Sequence, residues 1–179
     1  MTRVADAGES ENRLTREETA ALAGLPLPVN FARVRLHRGG GGRIVRALRG
    51  FVLRLTGGRA IALGNDVFLP DDCGRSVPVL AHELTHCAQY QAWGPLRYYA
   101  RGAADRCREL RHRRGRGASP YDYTGGALRP FAAYGMEQQG QIVEDWIRGS
   151  PRAAAVLTAP AGDPPTARTR SRRDPRSSP

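Results

Sequence analysis

The sequence has no lysine and no long apolar run. All 28 of its basic residues are arginine, and with 17 acidic residues they give a formal net charge of +11. Because no segment approaches the ~20 apolar residues of a membrane-spanning helix, no membrane span is predicted. Such a charge suits polyanionic partners. Nucleic acid is nevertheless disfavoured, because no aromatic residues interleave the arginines as single-strand binding requires. The use of arginine alone, without lysine, is also expected from the base composition of a GC-rich genome.

Cysteine and targeting signals are scarce as well. Cys73, Cys87 and Cys107 are odd in number and lack CxxC spacing, which argues against a disulfide framework and a cysteine zinc cluster. Reduced thiols in the cytoplasm are therefore expected. The first residues lack the apolar run of a secretory signal, so any export is expected to follow a non-classical route.

Apolar patterning starts near residue 29 and stops near residue 148. It predicts one domain over 29–148, between a largely disordered polar segment over 1–28 and a disordered Pro/Arg/Ser-rich tail over 149–179. Such compositions bury too little apolar surface to offset the entropy of ordering. Thr15 and Glu18 have capping-box spacing, which predicts a short helix inside the first segment.

Within the domain the patterning predicts an α+β fold. Residues 31–37 alternate as a strand does, and 44–55 have helical spacing. Two short apolar runs, 60–63 and 67–69, flank a turn-prone sequence and predict a hairpin. Helices are also predicted at 77–93, 96–111 and 130–148.

The sequence from His82 to His86, HELTH, is an HExxH motif on the predicted helix 77–93. Four residues apart on a helix, both imidazoles face one ion. Zinc suits two neutral imidazoles plus a carboxylate and leaves a position for water. Glu83 is placed to take a proton from a zinc-bound water as it attacks a carbonyl. The motif predicts a zinc metallopeptidase with His82 and His86 as ligands and Glu83 as general base, against the alternative of two histidines that bind nothing.

The third ligand has to come from outside the motif. The extended pattern that adds a glycine and a third histidine fails, because Gln89 and Ala92 occupy those places. An acidic ligand from the last helix is therefore expected, and Glu137 and Glu144 share one face of it. Glu137 is favoured, since Gly140 would let its helix lie close to the zinc helix. The alternative is that both glutamates are solvated.

Three further roles are predicted for nearby residues. Asp145 or Gln141 could hold a ligand histidine through a hydrogen bond. The segment Asp66–Leu69 is placed to be an edge strand that pairs with substrate, or else a plain core strand. Tyr123 and Tyr134 are candidates to stabilise an oxyanion, with ordinary packing as the alternative for each.

Two stretches resemble a known family. The run from Arg59 to Leu69 (RAIALGNDVFL), followed by LAHELTHCAQ, resembles the metallopeptidase domain associated with extracellular contractile injection systems. The stretch from Tyr134 to Asp145 resembles bacterial proteins of this kind found near Rhs and Vgr secretion components. The similarity spans roughly residues 31–148.

The resemblance implies a minimal gluzincin-like fold, with zinc on His82, His86 and a downstream glutamate, and with Glu83 catalytic. In such folds the third ligand lies in a Glu-x-x-Ala helix, which residues 137–140 match with glycine in place of alanine. It also implies a protein or peptide substrate, a secretion-system partner and export by an injection system. A non-catalytic, zinc-stabilised adaptor and a basic nucleic-acid binder with an accidental motif are the competing hypotheses.

Overall fold

A computed structural model describes residues 13–39, 42–72 and 76–160. Within these ranges the chain is an α+β protein, as predicted, with a small sheet and mostly helical remainder. The strands are β1 Arg35–His37, β2 Ile61–Leu63 and β3 Asp66–Phe68; the helices are α1 Arg16–Ala21, α2 Arg43–Leu55, α3 Val77–Arg113, α4 Met136–Ile147 and α5 Pro151–Thr158. No helix in the described ranges combines the length and apolar character needed to cross a membrane.

The sheet has the order β1-β3-β2. The predicted hairpin is confirmed, since β2 and β3 pair antiparallel, while β1 pairs parallel to β3. At the hairpin turn Gly64 has a φ of 71°, and the Tyr90 ring lies 3.2 Å from where a Cβ would stand. Of the two alternatives for Asp66–Leu69, the core strand is confirmed and the edge strand was wrong, because β3 is central and buried. Among the described strands, β2 is the edge that borders the cleft described below.

The main core lies between the sheet and the first half of α3. Alternation along β1 and β3 and helical spacing along α3 put large aliphatic side chains on facing surfaces, and these are fully buried. They include Leu36, Val67, Leu69, Leu80 and Leu84. The HExxH residues lie on this same buried helix, so the core fixes their positions.

The helix α3 contains a break at Gly94, which has φ 75° and ψ 167°. Pro95 follows it, and a residue that precedes proline is driven out of the helical region. The break corresponds to the gap predicted between helices 77–93 and 96–111. It redirects the second half of α3 so that Tyr98 and Tyr99 line the same cavity as the HExxH histidines.

The folded part extends beyond the predicted start at residue 29. Thr15 and Glu18 form the predicted capping box, with N–H to oxygen distances of 2.9 and 3.1 Å. After α1, Leu22 is fully buried in the main core. The expectation of disorder was therefore wrong for 15–22, where Leu22 packs in the main core and Glu18 pairs with Arg38 at 2.8 Å. Residues 1–12 lie outside the described ranges.

The expectation of disorder after residue 148 also needs correction. Ser150 caps α5, and Ala153 and Val156 are fully buried with Ile142 in a second core. Local composition could not reveal this, because the burying surface belongs to α4. Residues 161–179 lie outside the described ranges, so the predicted tail remains a prediction there.

Cys87 and Cys107 are free thiols, and Cys73 is outside the described residues.

Candidate metal centre

Three possible metal ligands meet where α4 crosses α3. His82 and His86 come from α3 and Glu137 from the first turn of α4. The Glu137 Oε2 atom lies 3.6 Å from His82 Nε2 and 3.4 Å from His86 Nε2, and one donor atom from each residue lies within 4.8 Å of the others. Two ligands of one tetrahedral zinc are about 3.4 Å apart, from bond lengths of about 2.0–2.1 Å. The donor set and its spacing therefore fit zinc.

The ring of His86 is held in the tautomer that a metal needs. Its Nδ1 atom is 2.8 Å from Oε1 of the buried Gln89. The Gln89 amide group donates to the Met136 carbonyl and to Gln139 Oε1, so its own oxygen is left to accept. His86 Nδ1 therefore carries the hydrogen, and the lone pair of Nε2 faces Glu137.

The ring of His82 is held in the same way by Glu144. His82 Nδ1 lies 3.0 Å from Glu144 Oε2, and the other oxygen of Glu144 is 2.7 Å from an Arg148 nitrogen. A carboxylate can only accept, so Nδ1 donates and Nε2 is free for an ion. The two glutamates left open by the sequence thus occupy different places, with Glu137 among the donors and Glu144 behind His82.

The two residues predicted to orient a ligand histidine, Asp145 and Gln141, make other contacts. Asp145 accepts a hydrogen bond from the Tyr123 hydroxyl at 2.7 Å and another from Gln141 at 2.9 Å, so neither holds a histidine. Sequence reasoning missed Gln89 and Glu144 in this role. Gln89 carried a usable signal, because it lies three residues after His86 on the same helix, within side-chain reach.

Gly140 permits the close approach of the two helices. A Cβ at this position would lie 2.8 Å from His82 Nε2. Such a separation is far inside van der Waals contact, so any larger residue would move the ring or the helix. This is the close approach that the sequence predicts for Gly140.

Charge in the centre favours a cation. Burial by itself lowers the pKa of His82, but contacts with Glu137 and Glu144 outweigh burial and raise the pKa to about 10. Burial alone would raise the pKa of Glu137, yet the two imidazoles hold it well below its usual range. Without metal, a proton on His82 therefore balances Glu137. A divalent cation can replace that proton.

Glu83 lies buried beside the two histidines. Its Oε2 atom has no hydrogen-bond partner among the described residues. Burial raises the pKa of Glu83, against the opposing effect of His82 and His86. A buried carboxylate oxygen without a partner is costly, and this one belongs to a residue that lines the cleft.

The centre opens into a cleft of about 890 Å³. Its lining includes the edge strand β2 with the residues before it and the second half of α3. His82, Glu83, His86 and Glu137 also line the cleft. A cavity of this size accommodates a short extended segment of peptide.

The tyrosine that borders the centre is Tyr121. Its ring centroid is 6.4 Å from that of His82, and Arg59 lies 3.5 Å from its hydroxyl. The predicted candidates are both engaged outside the cleft lining, because Tyr123 donates to Asp145 and Tyr134 packs in the second core. No feature of the sequence separates Tyr121 from Tyr123, two residues away.

Comparisons with known proteins bear on part of the chain. The family model described as the eCIS core domain, of the extracellular contractile injection systems, matches residues 16–94. The match runs from the start of α1 to the break in α3 and includes the HExxH motif, but it ends before Glu137. A search of the curated proteins and a search of the solved structures found no match. The match associates the chain with contractile injection systems and leaves zinc use and peptide hydrolysis as predictions.

Proposed function

We propose that this chain is a zinc-dependent peptidase associated with a contractile injection system. The observation that carries the proposal is the position of Glu83. Its buried carboxylate oxygen has no described partner, and it lies beside three convergent donors that line one cleft. An ordinary structural histidine pair would not require an unsatisfied acid at its side.

His82, His86 and Glu137 would hold the ion. When bound, Zn²⁺ supplies a Lewis acid that polarises a peptide carbonyl and lowers the pKa of water. Glu83 then accepts the proton from the attacking water and returns it to the leaving amine. In the metal-free chain burial raises the pKa of Glu83, a direction that favours proton acceptance.

Tyr121 and Arg59 are placed to stabilise negative charge on the reacting carbonyl. Burial and the charge of Glu137 raise the pKa of Tyr121 to about 12, so its phenol keeps its hydrogen and can donate it. Arg59 adds a positive charge beside the phenol oxygen. Donors aimed at a developing oxyanion contribute strongly in a site that excludes water.

The edge strand β2 offers a place for an extended peptide. Added strands gain affinity from backbone hydrogen bonds to an open sheet edge. The Ala62 carbonyl already accepts a hydrogen bond of 2.8 Å from the Tyr98 hydroxyl. A peptide that needs this carbonyl must displace Tyr98, so we expect pairing to be limited to a few residues.

A non-catalytic adaptor is the second candidate. The match to the eCIS core domain contains both histidines but not Glu137, so a partner-binding role for 16–94 needs no complete metal centre. In that case zinc would stabilise the fold, and the surface would make the contacts.

Substitution of Glu83 separates the two candidates. We expect Glu83→Gln to keep zinc and stability but to lose cleavage of a denatured protein or peptide library by about 10²–10⁴-fold. Chelated wild type should be equally inactive, and Glu17→Gln, on the exposed side of α1, should match wild type. If wild type binds zinc but neither wild type nor Glu83→Gln cleaves, the adaptor is favoured. Equal cleavage by both would reveal a contaminating protease.

A further inference from the structure

The helix α2 exposes its most apolar face. Ile44, Leu48, Phe51 and Leu55 recur at intervals of four, three and four residues, so they form one stripe. They are 85%, 52%, 60% and 65% exposed. Surface helices normally turn such a stripe toward the core, and large exposed apolar patches mark interaction sites.

A different side of α2 anchors it to the sheet. Val52 is buried, and Arg49 reaches the Leu69 carbonyl and the Asp71 carboxylate with distances of 2.9 and 2.6 Å. The apolar stripe is therefore not needed to hold the helix in place. Its four large side chains remain available to a partner.

The charge on α2 is of one sign. Arg43, Arg46 and Arg54 are exposed, and the helix contains no acidic residue. None of these three arginines forms an ion pair with a carboxylate in the described part of the chain. Arg43 and Arg54 lie about a quarter turn from the stripe, on one side of it, whereas Arg46 is on the opposite side of the helix. One border of the stripe is therefore basic and complements an anionic partner.

We propose that α2 lies flat on an anionic lipid surface. The stripe would enter the boundary between headgroups and acyl chains, while Arg43 and Arg54 cover its border with their stems and reach lipid phosphates with their guanidinium groups. The chain's net charge of +11 adds long-range attraction to such a surface.

A lipid surface fits the stripe better than a folded protein does. The stripe is about 16 Å long, from a rise of about 1.5 Å per residue, and no polar side chain interrupts it to set a register with a partner. A bilayer requires no register and tolerates any rotation about its normal. Leu55 also lines the cleft, so a bound chain would hold the cleft entrance near the lipid. The proposal itself needs neither zinc nor catalysis.

Vesicle flotation with the full chain tests the proposal. We expect wild type to float with phosphatidylcholine vesicles that contain phosphatidylglycerol, and to bind more weakly to phosphatidylcholine alone or in high salt. The double variant Leu48→Ser, Phe51→Ser should lose about tenfold or more in partitioning. Leu128→Ser is the matched control, because Leu128 is 50% exposed but lies elsewhere, and it should partition as wild type does.

Three outcomes would overturn the proposal. The first is that wild type does not float with anionic vesicles, and the second is that the double variant floats as well as wild type. The third is that light scattering shows a wild-type dimer that the double variant no longer forms. The last would show that a second copy of the chain covers the stripe. Thermal melts of all variants establish that they are folded, as expected for substitutions at exposed positions.

Discussion

The candidate metal centre and the outer face of α2 both hold side chains in an energetically unfavourable environment, but in opposite ways. At the centre, polar and charged groups are buried, and neighbours satisfy nearly all of them: Gln89 behind His86, and Glu144 behind His82. On α2, four large apolar side chains are each more than half exposed. The first region depends on buried polar contacts within the chain, whereas the second exposes apolar surface, so the two regions should respond differently to the same perturbations.

The largest expected effect is on zinc binding. Glu137→Ala should weaken zinc binding by more than the about 10–100-fold expected for Glu144→Ala, because Glu137 faces both Nε2 atoms and Glu144 only orients one ring. Competition with a chromophoric chelator measures both affinities. Equal losses, or a larger loss for Glu144→Ala, would contradict the assignment of Glu137 as a ligand. Vesicle binding should be unchanged in both variants.

The pH dependence should also differ between the regions. In metal-free protein His82 holds a proton up to a pKa of about 10, and zinc must displace it. A higher pH lowers the proton concentration and therefore the competition for His82. Between about pH 6 and pH 8, the zinc affinity should rise about tenfold per pH unit for each proton displaced. Chelator competition across this range is the measurement, and a flat profile would contradict it. Vesicle binding depends on the stripe of α2 and not on the histidines of the centre, so it should stay constant over this range.

The sequence indicated the local features of the centre but not its surroundings. The spacing of His82 and His86 predicts a shared face because helix geometry is periodic. Glu144 reaches His82 from another helix, and sequence separation alone does not show which polar side chain meets which ring. Gln89, in contrast, lies three residues after His86 on the same helix, so its contact follows from helix geometry. The hairpin was predictable from its turn residues, whereas the parallel pairing of β1 depends on how distant segments pack. The helical spacing over 44–55 was visible in the sequence, but periodicity alone does not say which of its apolar residues face the core and which face solvent.

Glycine-to-alanine substitutions compare the two regions directly. Gly140→Ala should destabilise the protein by about 1–3 kcal/mol, or weaken zinc binding, because the new Cβ would lie 2.8 Å from His82 Nε2. Gly50→Ala in α2 meets nothing within 4 Å and should stabilise by about 0.5–1 kcal/mol, since glycine costs that much inside a helix. Chemical denaturation measures both. A neutral Gly140→Ala would mean that α4 is not held tightly against His82.

The smallest expected contrast is between the effects on the free energy of unfolding of truncating one buried and one exposed aliphatic side chain. Val156 is fully buried in the second core beside Ile142, so Val156→Ala leaves a cavity and should cost about 1–3 kcal/mol. Leu48 is 52% exposed on the stripe, so Leu48→Ala should change the free energy of unfolding by no more than about 0.5 kcal/mol. Urea denaturation of both variants without lipid measures the contrast, and Leu128→Ala serves as a second exposed control. A neutral Val156→Ala would show that α5 adds nothing to stability, as expected of a disordered tail. A destabilising Leu48→Ala would show that the stripe is covered within the chain itself, and the lipid proposal would then lose its premise.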